Sequence, residues 1–179
     1  MLDAEATQPS YSWKRDPLFW AYSILLLLPV IMVFAFYNYY NLDFLVYAGW
    51  ILLVFSVAII FLAGGEFRKK GEAPKGQSIV RTTVLVDSGV YAVIRHPQYL
   101  GFLVFVLALV LMSQHWLSMI SGLLGSVLFY KDVVREEQMN VQKFGDDYRR
   151  YMESVPRMNF AVGVLRLVRQ RRKQSQACA

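Results

Sequence analysis

The feature that most limits what this chain can become is the spacing of its charges. Residues 18–37 contain no Asp, Glu, Lys or Arg, and neither do residues 44–63 or 97–130. The first two stretches are 20 residues each. About 20 apolar residues, rising roughly 1.5 Å apiece, match a hydrocarbon core about 30 Å thick. Both therefore read as spanning helices. Pro29 is tolerated inside the first, because neighbouring membrane helices re-satisfy the backbone it interrupts. Pro17 suits the first turn, with Asp16 as its cap. The third stretch is 34 residues long, and as one helix it would run about 51 Å. That is too long for a single crossing. Ser113-Gln114-His115 supplies a turn, which predicts a helical hairpin with arms over 99–112 and 116–130. Each arm is short enough to require tilt, local thinning or extension into the interface.

Composition agrees. Of 179 residues, 56% are hydrophobic and 18% charged, against about 45–50% and about 25% in soluble domains. That excludes a disordered tail, a collagen-like fibre and a coiled coil. One cysteine, Cys178, excludes an internal disulfide framework and a Cys-based zinc site, and no metal is expected. A net charge of +6 could suit nucleic acid, but all 19 Lys and Arg lie in residues 1–15, in 68–95, or from Lys131 onward. With four crossings these regions share one face, which the positive-inside rule makes cytoplasmic. Both termini are then inside, the basic charge faces membrane lipids and cytosol, and no nucleic-acid partner is expected. Residues 18–37 exceed a signal peptide's apolar core and precede no A-x-A-like site, so they read as a retained anchor.

The connector over 66–95 is long and, with Gly64-Gly65, Gly71, Pro74, Gly76 and Gly89 in and beside it, is expected to be broken. Val84-Leu85-Val86 should pack back on the bundle, and Asp87-Ser88-Gly89 reads as a turn with Gly89 at positive φ. The last span should continue as a helix beyond Tyr130 until Gly145 stops it. Residues 160–173 mix apolar and basic side chains as an interfacial helix does, and 174–179 should fray. Ser118, Gly122, Gly125 and Ser126 read as a close-packing face, and His115 as a bland turn residue. Three parts result: 1–65 with the first two spans, 66–159 with connector and hairpin, and the basic interfacial tail 160–179.

Two polar clusters stand out. An Arg and a His at a bilayer boundary are costly unless paired, yet Arg95-His96-Pro97 begins the hairpin. Taken alone, this is a snorkelling Arg, a capping His and a helix-start Pro. Glu136-Glu137, about two turns past the last span, reads alone as a solvated helix face. A hairpin, however, sets its two ends side by side, so Tyr91, Arg95, His96, Tyr99, Glu136 and Glu137 could converge at the cytoplasmic surface.

The run Leu85-Val86-Asp87-Ser88-Gly89-Val90-Tyr91-Ala92-Val93-Ile94-Arg95-His96-Pro97-Gln98-Tyr99-Leu100-Gly101 resembles the L-V-x-x-G-x-Y-x-x-x-R-H-P-x-Y-x-G signature of the isoprenylcysteine carboxyl methyltransferase family. Phospholipid N-methyltransferases carry a related version. A second block, Glu136-Glu137, Phe144-Gly145-Asp146-Asp147-Tyr148, Tyr151 and Val155-Pro156-Arg157, is similar to that family's E-E-x(6)-F-G-x-x-Y-x-x-Y-x-x-x-V-P tail. The resemblance covers about residues 76–157. It implies an all-α polytopic membrane bundle whose connector and tail bind S-adenosylmethionine and pass its methyl group to a lipophilic acceptor. By position, Thr83, Val84, Leu85 and Val86 would line the cofactor through backbone, with Tyr91 beside them. His96, Pro97, Gln98 and Tyr99 would form the next wall, Glu136 would hold the cofactor's amino group, and Gln77 is a further candidate.

The resemblance further implies that Arg95 pairs with the methionyl carboxylate or with Glu136. A carboxylate acceptor needs no base. An amine acceptor would, which gives Glu137 or His96 that role. In the prenylcysteine enzymes an arginine one turn before the Glu pair contacts substrate; here Asp132 stands there, with Arg135 nearby as a second substrate-side candidate. An Asp repels a carboxylate and attracts an amine, so prenylcysteine carboxylate, phospholipid amine and other lipophiles remain open as acceptors. The rival readings are an NADPH-dependent enzyme like the sterol reductases and a non-catalytic membrane scaffold.

Overall fold

Asp16 opens the first helix: its Oδ1 accepts the Leu18 amide at 2.9 Å, and Pro17 takes the first helical position. The computed structural model describes residues 16–70 and 84–177. The elements are α1 (Pro17–Ala35), α2 (Asp43–Lys70), a 3-10 turn (Gly89–Ala92), α3 (Pro97–Ser113), α4 (Trp116–Phe144), α5 (Asp146–Ser154) and α6 (Phe160–Ala177). No strand occurs among the described residues. Helices α1, α2 and α4 are long and apolar enough to cross a membrane, while α3 is a shorter apolar helix.

The bundle is inside-out relative to a water-soluble one. Phe34 is 86% exposed, Phe61 76% and Tyr47 69%, an apolar girdle that lipid solvates and water does not. Within such a solvent helices associate through close packing of small residues. A β-carbon on Gly49 would fall 2.5 Å from Met112 Cγ and 3.0 Å from the Ala108 carbonyl oxygen. One on Gly101 would fall 2.6 Å from Ile60 Cγ1. These two glycines let α2 and α3 touch. On α4 Gly125 receives Leu26 of α1, Gly122 faces Val106 and Val110 of α3, and Ser118 is buried; Ser126 is only half-buried, and Ser121, outside the expected face, is buried in its stead.

At the turn end, Gln114 adopts φ 55° and ψ 20° between α3 and α4. Its Nε2 donates to Asn38 Oδ1 at 2.8 Å and to the Leu42 carbonyl at 2.9 Å, while its Oε1 accepts the Leu42 amide at 3.2 Å. The hairpin turn is thus tied to the α1–α2 loop. His115 caps α4 by accepting the Leu117 amide and stacks on Phe36 with centroids 4.6 Å apart. Its role there is architectural.

Two expectations shift. Helix α2 continues through Gly64-Gly65 to Lys70, so the break falls later and a division at residue 65 lies inside a helix. Interior glycine costs about 1 kcal/mol relative to alanine, but the Glu66–Lys70 ion pair (2.8 Å) and Phe67 packed on Tyr91 hold this last stretch. Likewise α6 extends to Ala177, past the expected stop at 173. Gly145 stops α4 with φ 60°, and Gly89 turns with φ 64°.

Candidate active site

The α3–α4 hairpin brings its two ends together, and the backbone fixes them first. The Arg95 amide donates to the Pro156 carbonyl at 3.0 Å and the His96 amide to the Arg157 carbonyl at 3.1 Å. The segment after α5 is thereby laced to the segment before α3. Tyr148, Tyr151 and Val155 form the small core beneath, with Leu85, Val141, Phe144 and Met152 against it. The Tyr151 hydroxyl donates to the Tyr91 carbonyl at 2.7 Å. The aromatic and valine spacing of the second block is therefore a packing pattern.

Glu137, 3% exposed, is the centre of the first cluster. Its Oε1 accepts from Arg95 Nε at 2.9 Å and lies 2.8 Å from Arg95 Nη2. Its Oε2 accepts from Arg157 Nε at 2.9 Å and Nη2 at 2.5 Å. His96, also buried, sets Nε2 3.3 Å from Glu137 Oε1 but without an aligned hydrogen bond. Arg95 Nη1 donates to the Met152 and Val155 carbonyls, both at 2.6 Å. Those are end-of-helix acceptors that α5 itself cannot satisfy. Arg95 thus meets Glu137, not Glu136, and its guanidinium is consumed by protein partners. Arg157 Nη1 reaches the Tyr130 hydroxyl at 2.6 Å, and the Glu137 hydrogen bonds hold the Arg157 guanidinium more firmly protonated than usual.

The second cluster is more open. The Tyr99 hydroxyl donates to Glu136 Oε2, and the Tyr99 ring lies 5.0 Å from Phe129 and 5.6 Å from His96. Glu136 Oε1 has no hydrogen-bond partner among the described residues, and no cation pairs with this carboxylate there. One turn earlier on α4, Asp132 accepts from the Tyr22 hydroxyl at 3.1 Å, and Arg135 pairs with Asp16. Both substrate-side candidates are therefore engaged by the start of α1.

The remaining expected cofactor residues divide. Val84 and Leu85 line a surface groove of about 710 Å³ with Asp87, Phe144, Asp147, Arg150, Tyr151 and Ser154. Val86 and Tyr91 are buried against Ala63 and Phe67. Burial, with the Glu136 charge secondary, pushes the Tyr91 phenol up to about 12. Pro97 is buried at the start of α3 and Gln98 is exposed. Gln77 and Thr83 lie outside the described residues. Sequence reasoning gave no role to Arg157, which proves to be the second guanidinium on Glu137. Its only signal was its place directly after Val155-Pro156.

A buried ion cluster and a half-open aromatic–carboxylate pair at the mouth of a helical hairpin define a class: an all-α protein of membrane type, with three helices long and apolar enough to span and a polar cluster at one end. Residues 75–143 match the model of the isoprenylcysteine carboxyl methyltransferase (ICMT) family, so this region of the chain is ICMT-like. The chain is 32% identical over 120 residues to the protein-S-isoprenylcysteine O-methyltransferase of Schizosaccharomyces pombe, covering 58% of this chain and 50% of that protein. It is 31% identical over 113 residues to the protein of the same name from Homo sapiens, covering 60% and 38%, and 29% identical over 114 residues to that of Rattus norvegicus, covering 61% and 39%. The chain spans half or less of the length of these curated relatives. No solved structure matches it.

Proposed function

We propose that this chain is an integral membrane methyltransferase that moves a methyl group from S-adenosylmethionine to a lipophilic acceptor at the cytoplasmic interface. The observation that carries the reading is the meeting of Tyr99, from the R-H-P-x-Y block, with Glu136, from the E-E block, at the hairpin mouth. A partly buried carboxylate facing aromatic rings, with no cation paired to it among the described residues, suits a cationic ligand group. The groove at Val84 and Leu85 falls in the size range of small-molecule pockets, about 300–1,000 Å³. These residues fit the methyl donor. The relatives' name favours transfer over an NADPH-dependent reductase or a scaffold.

In this reading α3 is a fourth, shorter crossing, and both termini face the cytosol with the basic segments. The methyl donor supplies a methyl group activated on a sulfonium sulfur. Glu136 holds its ammonium group, Tyr99 orients that carboxylate, Val84, Leu85 and Gln98 offer the accessible wall, and Val86, Tyr91, His96 and Pro97 pack behind it. Arg95 and Glu137 act by positioning: their charges are spent on each other, on Arg157 and on α5. His96 is the group left for moving a proton from an amine acceptor. Alignment of nucleophile and methyl group, rather than intrinsic reactivity, is what the protein must provide. Asp132, hydrogen-bonded to Tyr22, is assigned to the acceptor head group, and an acidic residue in that role favours an amine over a carboxylate.

The test is a titration of the chain in nanodiscs with S-adenosylhomocysteine and, separately, NADPH, followed by labelled-methyl transfer to fractionated lipid extracts. Binding of the first alone with label in a lipid supports the proposal. Binding of NADPH alone, or of neither, overturns it.

A further inference from the structure

Helix α6 carries Arg166, Arg169, Arg171, Arg172 and Lys173 and no acidic residue. Among the described residues none of these cations meets a carboxylate. The Nε and Nη1 of Arg166 are buried without a hydrogen-bond partner among the described residues. A guanidinium keeps its charge at every accessible pH, so burying its donors unpaired is costly. The Arg166 side chain also helps line an open cavity of about 370 Å³ with Val162, Leu165, Arg169, Gln170 and Lys173. The six recur at i, i+3, i+4, i+7, i+8 and i+11, which is one helix face.

That face is graded along its length. Its first turns are apolar and exposed, through Val162 and Leu165, and its later turns are cationic. The start of α6 is anchored against the bundle. A β-carbon on Gly163 would overlap the Val93 carbonyl oxygen, and Phe160 packs edge-on against Phe55 with centroids 6.2 Å apart. Phe55 stands on the outward face of α2, 42% exposed, inside a helix apolar enough to span. In the membrane placement proposed above, the apolar turns of α6 begin beside acyl chains and its cations follow at head-group level.

We propose that the Arg166–Arg169–Lys173 face of α6 is a binding site for an anionic phospholipid, with the phosphate on the unpaired Arg166 guanidinium and an acyl chain along Val162 and Leu165. The proposal rests on the membrane placement given above and not on methyl transfer. Charge complementarity commits it to an anionic lipid, since each Lys or Arg near such a surface strengthens binding by about fivefold.

The experiment is native mass spectrometry of the full chain in detergent, titrated with phosphatidylglycerol, with phosphatidylcholine of the same chains, and with inorganic phosphate. Phosphatidylglycerol should bind roughly tenfold or more tightly than phosphatidylcholine, and Arg166→Gln should weaken it about fivefold. Arg171→Gln removes the same charge from the opposite face and should change binding less than about twofold. If Arg166→Gln fails to fold, Arg169→Gln with Lys173→Gln, at two exposed positions, reads the same site. Equal losses from the two faces, no preference for phosphatidylglycerol, or equally tight inorganic phosphate would each overturn the proposal. Binding of S-adenosylhomocysteine by the same variants separates failure here from failure of the enzymatic reading.

Discussion

Arg95 and Glu137, 42 positions apart, meet with Nη2 and Oε1 2.8 Å from one another and both side chains buried. This contact closes the mouth of the hairpin, because the same guanidinium also terminates α5. It converts two sequence blocks into one structural unit.

Removing that carboxylate should be costly. Glu137→Ala leaves the Arg95 and Arg157 guanidinium groups without their shared anion, and breaking a buried pair typically costs about 3–5 kcal/mol. Arg157→Ala should cost less, because that side chain is 31% exposed and Glu137 keeps Arg95 as its cation. Thermal denaturation in micelles checks the order. A Glu137→Ala protein as stable as the parent would show that the cluster contributes nothing net.

Glu136 should behave differently from its neighbour. Glu136→Gln leaves the Arg95–Glu137 cluster intact, so stability should hold. Loss of a charge-assisted hydrogen bond, worth about 1.5–3 kcal/mol, should lower S-adenosylhomocysteine affinity about tenfold to a hundredfold. Calorimetric titration in nanodiscs measures this, and an unchanged affinity rules out the assigned role.

Asp132→Arg should invert the charge offered to the acceptor. Like charges brought together cost several kcal/mol, so carboxylate acceptors should gain over amines by roughly tenfold or more while S-adenosylhomocysteine binding is retained. Competition between the two acceptor types with labelled methyl donor reads the ratio. No change would mean that the acceptor head group lies elsewhere.

Gly101 tests the α2–α3 contact. Its missing side chain admits Ile60, and Gly101→Val forces that neighbour aside. Overpacking of this kind costs about 1–3 kcal/mol. Denaturation of the variant should shift accordingly, and a neutral result would mean that the helices can part without loss.

Alkaline pH should weaken the region around α5. Burial is the main cause that pushes the Tyr91 and Tyr148 phenols up to about 12, from an ordinary value of 10.0. Their folded-state values exceed the unfolded ones, so their contribution is complete below pH 10.0 and is lost as pH rises towards about 12. Tyrosinate absorbance should appear late and together with loss of helicity. Full ionisation near the ordinary value with the fold intact would contradict this.

The sequence by itself indicated α1 to α4 and α6, though not α5, together with the turn between α3 and α4, the stop at Gly145 and the cap at Asp16. Each depends on charges, glycines or prolines within a few positions. It also indicated that Arg95-His96 and Glu136-Glu137 would converge, because a hairpin leaves its ends no other place. Only the tertiary structure decided which Glu takes which partner. Glu136 and Glu137 are adjacent, but successive helical residues point about 100° apart. One therefore turns inward to two arginines and the other towards Tyr99. It also decided that Arg157 shares Glu137, that Tyr22 and Asp16 reach α4, and that α2 continues through Gly64-Gly65. Such pairings depend on how distant helices rotate and pack against each other, and no spacing along one strand of sequence encodes that rotation.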